Sequence, residues 1–239
     1  MEEKKIRPIT LAGVTFPVAF QSLETWFLYF REFWGGLPGG EPPISVSMEE
    51  IQREKESMGS ESFTEFNLLL GRFSARLLPH DRCAFHGVAV AVGNRAWLIT
   101  APSGTGKSTQ FLLWKELLGD RVRLICGDKP ILEFQPGGEI LVHPSPWIGK
   151  ERWGGGAPAK LAGIVYLEQG PHNTISPMPV SKAVVPLYTQ FLYHPADEGE
   201  LRRVSAMLQK LLEGVPVWKL VNLGDADSAR LTHETLGIE

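Results

Sequence analysis

The sequence predicts an α/β protein: a mixed-sheet phosphate-loop domain preceded by an N-terminal α+β region. Three observations carry this expectation. Two strand-like runs, AFHGVAVAV and RAWLIT, flank Gly93-Asn94, a two-residue hairpin turn. The turn APSGTGKS follows the second run directly, at Ala101 to Ser108, and opens a helical stretch. Beyond it, apolar runs of strand length alternate with segments of helical period up to the C-terminal end.

Taken in order, IRPITLAGVTFPVAF reads as two short strands around Ala12-Gly13, and LETWFLYFREFW as an apolar helix ending at Gly35-Gly36. LPGGEPPISVS is a turn-rich connector into a short strand. The charges of MEEIQREKESMGSES describe a solvated, partly helical face, and FTEFNLLLGRFSARLLP carries apolar residues at helical spacing up to Pro79. Residues 1–80 are thus expected to form an α+β region packed on or appended to a phosphate-loop domain over 81–239.

In that domain STQFLLWKELLG predicts a helix, VRLIC and ILEF predict strands around Gly127 to Pro130, and EILVH and LAGIVYLEQ predict two more. Helices are expected near Val180 to Leu192, over Glu200 to Glu213 and from about Asp225, with PVWKLV a strand between the last two.

Bulk properties exclude several classes. The 239 residues carry 24 Lys plus Arg against 27 Asp plus Glu, a net charge of -3, so no basic excess points to nucleic acid or an anionic membrane. No long apolar stretch follows the charged N-terminus, which argues against a secretory signal or membrane span and makes a cytoplasmic location the expectation. Cys83 and Cys126 form no CxxC pair, and the six histidines lack metal-ligand spacing, so buried thiols are expected and no zinc site.

The chemistry concentrates in APSGTGKST. Gly104 and Gly106 let backbone N–H groups of Ser103, Gly104, Thr105 and Gly106 converge on phosphate oxygens, and the following helix start adds partial positive charge. Lys107 can reach the β- and γ-phosphates of ATP, Ser108 can place its hydroxyl on Mg2+, and Thr109 can add a further contact. Ala101 stands where the usual motif has glycine, which is harmless as long as its φ is negative. Asp128, in LICGDKP, suits a second magnesium ligand if its strand ends next to the loop strand; a turn-forming role is the alternative.

Together FHGVAV from Phe85, APSGTGKSTQ, LICGDKP and PSPWIGKE from Pro144 resemble the HPr kinase/phosphorylase family, which shares the phosphoenolpyruvate carboxykinase nucleotide fold. The resemblance is closest to small bacterial HPr-kinase-like proteins and runs from about His80 to the C-terminus. It implies phosphate and metal roles for Lys107 and Ser108, a magnesium carboxylate at Asp128, and a histidine near the transferred phosphate at His86. Without it, His86 reads as a hydrogen-bonded sheet histidine. The chain departs from the family at Gly127, where HPr kinases carry the first of two adjacent aspartates. His86, Asp128 or Glu151 could supply the base, or positioning and charge stabilisation could suffice.

The segment HPSPWIGKERWGGGAPAK, residues 143–160, has the composition of a mobile loop whose cations meet the γ-phosphate or an anionic acceptor; the alternative is a surface loop anchored by Trp147. The resemblance raises Lys150 and Glu151 as contributors to catalysis. Three functions remain open at this level: an ATP-dependent kinase acting on a hydroxyl of a peptide, protein or metabolite such as serine, a nucleotide-binding regulatory protein with little turnover, and carboxykinase chemistry, for which no arginine and metal-ligand set is evident. HPr kinases assemble into oligomers, which makes a homo-oligomer an expectation of the resemblance alone.

Overall fold

The computed structural model describes residues 6–150 and 152–238. Its centre is a nine-stranded mixed sheet in which β3 (Arg82–Ala84), β7 (Ile131–Phe134), β8 (Ile140–His143), β9 (Ala159–Gln169), β5 (Arg95–Thr100), β4 (Val88–Val92) and β6 (Val122–Cys126) follow one another. The 11-residue β9 branches. Its first two residues pair with β8, and its C-terminal half pairs in parallel with β11 (Val217–Asn222), which in turn carries β10 (Thr174–Pro177) at its outer edge.

The sheet is covered on both faces. The helices α5 (Val180–Tyr188) and α6 (Glu198–Gly214) bury Ala183, Leu187, Val204, Met207 and Leu211 against one side. On the other side α4 (Lys107–Leu118) and α7 (Ala226–Leu236) supply Phe111, Trp114, Leu118 and Ala229. Acidic caps fix two of these helices: Asp197 accepts from the N–H groups of Gly199 and Glu200, and Asp225 from that of Ser228.

The N-terminal region has its own cluster. The hairpin of β1 (Ile6–Leu11) and β2 (Val14–Ala19) packs on α3 (Glu61–Leu77), whose Phe66, Leu69, Phe73 and Leu77 form one buried stripe. Ile131 and Trp147 from the sheet domain complete this cluster. Ahead of α3 lies α2 (Met48–Met58), started by a reciprocal Ser47–Glu50 capping box.

The single helix expected over 23–34 is instead three short pieces. α1 (Leu23–Thr25) widens into a π-helical turn over Trp26–Phe30 and tightens into a 3-10 turn over Arg31–Phe33. Its entry is tied down by the buried Glu65 carboxylate, which accepts from Gln21 N at 2.6 Å, Ser22 N at 3.1 Å and Thr25 Oγ1 at 2.5 Å. These tertiary donors set the local path over the helical period of the apolar residues. The expected strand at ISVS shrinks to a bridge between Ile44 and Val18, and the short, exposed β10 carried no readable apolar signal.

Two differences bear on the site. The run from Ala84 to Val92 is two strands, because the chain leaves β3, passes through Phe85, His86 and Gly87, and only then enters β4. His86 therefore sits in a crossover and outside the hairpin. Pro186 lies in α5, and the chain beyond Tyr188 leaves the helix to meet this crossover: Leu192 N donates to Ala84 O at 3.0 Å and His86 N to Gln190 O at 2.8 Å. Second, β4 lies between β5 and β6, so the strand leading to Asp128 is not the neighbour of the loop strand. Both β5 and β6 run antiparallel to β4, hence parallel to each other, and their C-terminal ends still open on the same sheet edge.

Candidate active site

The loop between β5 and α4 has the backbone its glycines predict. Gly104 and Gly106 take φ of +80° and +107°, conformations that favour glycine. Ala101 is not among the positive-φ residues; it is fully buried, and its carbonyl accepts from Lys107 Nζ at 3.0 Å. The same ammonium donates to Pro102 O at 3.3 Å, so the lysine folds over its own loop.

Gly106 caps α4 without a side-chain hydrogen bond, leaving the first-turn N–H groups of a 12-residue helix open toward the loop. Thr105 Oγ1 turns inward to Pro102 O at 2.8 Å and braces the turn, whereas Ser103, Gly104 and Thr109 are exposed and Ser108 is half-buried on the first helical turn. Behind the loop, buried Gln110 donates to Ser228 Oγ at 2.6 Å and to Asn222 Oδ1 at 3.2 Å, which fixes α4 against α7 and β11.

Across from the loop stands Asp128. Its Oδ1 lies 2.8 Å from Lys129 Nζ and 3.4 Å from His86 Nε2, and its backbone carbonyl accepts from Gly87 N at 2.9 Å. Burial lowers the Lys107 pKa from its usual value, opposed by the Asp128 charge and assisted by Lys129. Burial also pushes His86 down to about 4, with the ammonium groups of Lys129 and Lys107 acting in the same direction and Asp128 opposing them. The imidazole is consequently neutral at pH 7.

Lys129 was missed at the sequence level, although it adjoins Asp128 and precedes Pro130 in GDKP. A lysine next to a turn aspartate usually points to solvent, so adjacency alone gave no reason to single it out. Here its side chain is only 18% exposed, and its backbone is held by Lys129 N to Trp147 O at 3.0 Å and Ser145 Oγ to Lys129 O at 2.6 Å.

The 143–160 segment is anchored along most of its length, contrary to the mobile loop its composition suggests. Trp147 is buried, with Nε1 donating to Phe66 O at 3.0 Å. The glycines permit close packing against β6. A Cβ on Gly154 would lie 2.5 Å from Ile148 Cγ2, and one on Gly156 2.5 Å from Leu124 O, while Gly155 N donates to Ile125 O at 3.2 Å. Gly149, Lys150 and Arg152 are exposed, and Lys150 and Arg152 border a cavity of about 630 Å³ that Asp128 and Lys129 also line. Glu151 lies outside the described residues.

Gly127 is explained by the same packing. A Cβ there would stand 2.6 Å from Ile148 O and 2.8 Å from Trp153 O. The space beside the Gly127 Cα is thus closed by backbone on two sides.

No cluster of three or more His, Cys, Asp or Glu side chains suited to a metal occurs among the described residues. The donor set of one carboxylate, Asp128, and one hydroxyl, Ser108, suits magnesium, which keeps waters and takes phosphate oxygens as ligands. Both cysteines are buried, and burial raises their thiol pKa values. Among the described residues no helix is long and apolar enough to cross a membrane.

No family model matches the chain, and no curated protein matches its sequence. Among solved structures, the Hpr(Ser) kinase/phosphatase from Coxiella burnetii shows a distant likeness: a TM-score of 0.35 and 14% identity, covering 64% of this chain and 98% of that one.

Proposed function

We propose that the chain is an ATP-dependent phosphotransferase that passes the γ-phosphoryl group to a hydroxyl. The observation that carries this reading is the pairing of a glycine-shaped, open helix start bearing buried Lys107 with an Asp128 carboxylate at the same sheet edge. Loop N–H groups and Lys107 would bind the phosphates, with Ser108 and Asp128 holding magnesium, whose charge would neutralise that developing on the phosphoryl oxygens.

Within the chain the roles divide by charge state. Neutral His86, at 3.4 Å from Asp128, is suited to orient the carboxylate. Asp128, which also lines the cavity beside this edge, serves by its position as the proton acceptor. The acceptor oxygen bonds to the γ-phosphorus as the bond to the bridging oxygen breaks, the hydroxyl proton passes to Asp128, and ADP leaves. Lys129 keeps the site cationic and offsets charge on the phosphoryl group in flight.

The test is transfer of label from γ-labelled ATP with magnesium to a panel of hydroxyl-bearing metabolites and peptides. Labelled product that disappears in Lys107→Ala and Asp128→Asn supports the reading. Nucleotide binding with no labelled product across the panel would favour a nucleotide-binding regulatory protein instead.

A further inference from the structure

We infer that the cavity beside Asp128 is the acceptor site, and that it takes a small hydroxy acid: a hydroxyl and a carboxylate on an aromatic or branched apolar body. This rests on the phosphotransferase reading and adds the acceptor's chemical class. Asp128 and Lys129 line the cavity, so a hydroxyl bound there reaches the carboxylate assigned to receive its proton.

Much of the remaining lining is aromatic and comes largely from the N-terminal region. Tyr29 stacks on Phe66 with centroids 4.1 Å apart and an interplanar angle of 19°, and Phe66 stacks on Trp147 at 5.7 Å and 21°. The three rings cover one another's faces, so what they add to the cavity wall is apolar ring edge, and Leu28, Phe33, Phe63 and Leu70 extend that wall for an apolar body.

The charge balance selects an anion. Arg31, Lys150, Arg152 and Lys129 line the cavity against the carboxylates of Glu32 and Asp128 among the described residues. Arg31 lies over the Phe27 ring at 4.8 Å, and Arg152 lies over Tyr29 at 5.8 Å with NH2 3.5 Å from Leu28 O. Arg152 also holds a left-handed φ of +55°, an uncommon conformation for a side chain of its size, in the turn closed by its N–H to Gly149 O at 3.2 Å. A guanidinium offers a planar fork that matches a carboxylate. The volume of about 630 Å³ falls within the range of small-molecule sites.

The experiment is calorimetric titration of the full chain with 3-phenyllactate, lactate and 2-phenylethanol, alongside a separate titration with magnesium ATP. The expected result is that 3-phenyllactate binds more tightly than the acid lacking a ring and the alcohol lacking a carboxylate. Arg31→Gln and Arg152→Gln should each weaken it about tenfold, as for a lost charged hydrogen bond, with nucleotide affinity unchanged. Equal binding of the three probes, no binding of any, or indifference to both arginines overturns the inference. Label transfer from ATP to an acceptor whose KM ignores both arginines also overturns it while sparing the phosphotransferase reading. Arginine-dependent binding of 3-phenyllactate by a chain that binds no nucleotide refutes that reading and leaves the cavity's ligand class standing.

Discussion

The indole Nε1 of Trp147 donates to the carbonyl of Phe66 at 3.0 Å, while the Trp147 carbonyl accepts from Lys129 N at 3.0 Å. One residue therefore ties the N-terminal cluster to the turn that carries Asp128. Trp147 also packs edge-on against Phe30 and Phe73 at 5.7 and 5.6 Å. Trp147→Ala should cost about 3–5 kcal/mol through the cavity it leaves, and Trp147→Phe about 1 kcal/mol through the lost hydrogen bond. Denaturant unfolding checks both, and equal costs for the two variants would remove the hydrogen bond from the account.

Lys107 bears on both function and stability. The residue is 9% exposed and its ammonium is held by two loop carbonyls, with burial drawing its pKa down. Removing the buried ammonium relieves its desolvation but takes a donor from each of its two carbonyl partners. Lys107→Met, which takes that donor from Ala101 O and Pro102 O, should lower the melting temperature modestly while weakening magnesium ATP binding about tenfold or more, the loss expected of a charge-assisted contact. A variant with unaltered nucleotide affinity would sink the assignment of the loop.

His86 gives a pH signature. Its folded pKa of about 4 lies below the ordinary 6.5, so the ring stays neutral in the folded chain while it takes up a proton in the unfolded one. Its contribution to stability is complete above the ordinary value and is lost as pH falls from there toward about 4. NMR titration of the imidazole should show no protonation near 6.5, and Lys129→Met should raise the measured pKa by removing a nearby positive charge. An unshifted wild-type titration would refute the charge arrangement around Asp128.

The glycine-rich turn before α4 was legible in the sequence because its residues act through local backbone: glycines at positive φ, a lysine one position on, and a helix start. The hairpin and most helices were legible for the same reason, as periodicity and caps operate within a few residues. His86 was misplaced because β3 ends at Ala84 and β4 begins only at Val88, and the partners that define the crossover, Gln190 and Asp128, are remote in sequence. Lys129 and the aromatic lining of the cavity escaped notice likewise, since Tyr29, Phe66 and Trp147 converge only in the fold. The glycine run at 154–156 was read as flexibility, whereas its lack of side chains serves close contact with β6.

Gly127 provides a test of whether the turn can carry a second carboxylate beside Asp128. A Cβ at this position would stand 2.6 Å from Ile148 O, and Gly127 N already donates to Trp153 O at 3.1 Å. Both obstacles are backbone, so neither can rotate away as a side-chain tip would. Gly127→Ala should therefore cost about 1–3 kcal/mol, as overpacking does. Gly127→Asp should cost more, because its carboxylate would be pressed against two carbonyl oxygens that cannot donate to it. Thermal unfolding of the two variants, with label transfer measured on the folded fraction, checks this. Loss of stability with no gain in transfer is the expected outcome and leaves Asp128 as the single carboxylate of the turn. An aspartate variant of unchanged melting temperature and higher transfer would show instead that the loop from Ile148 to Trp153 yields readily and that the turn accepts a second carboxylate.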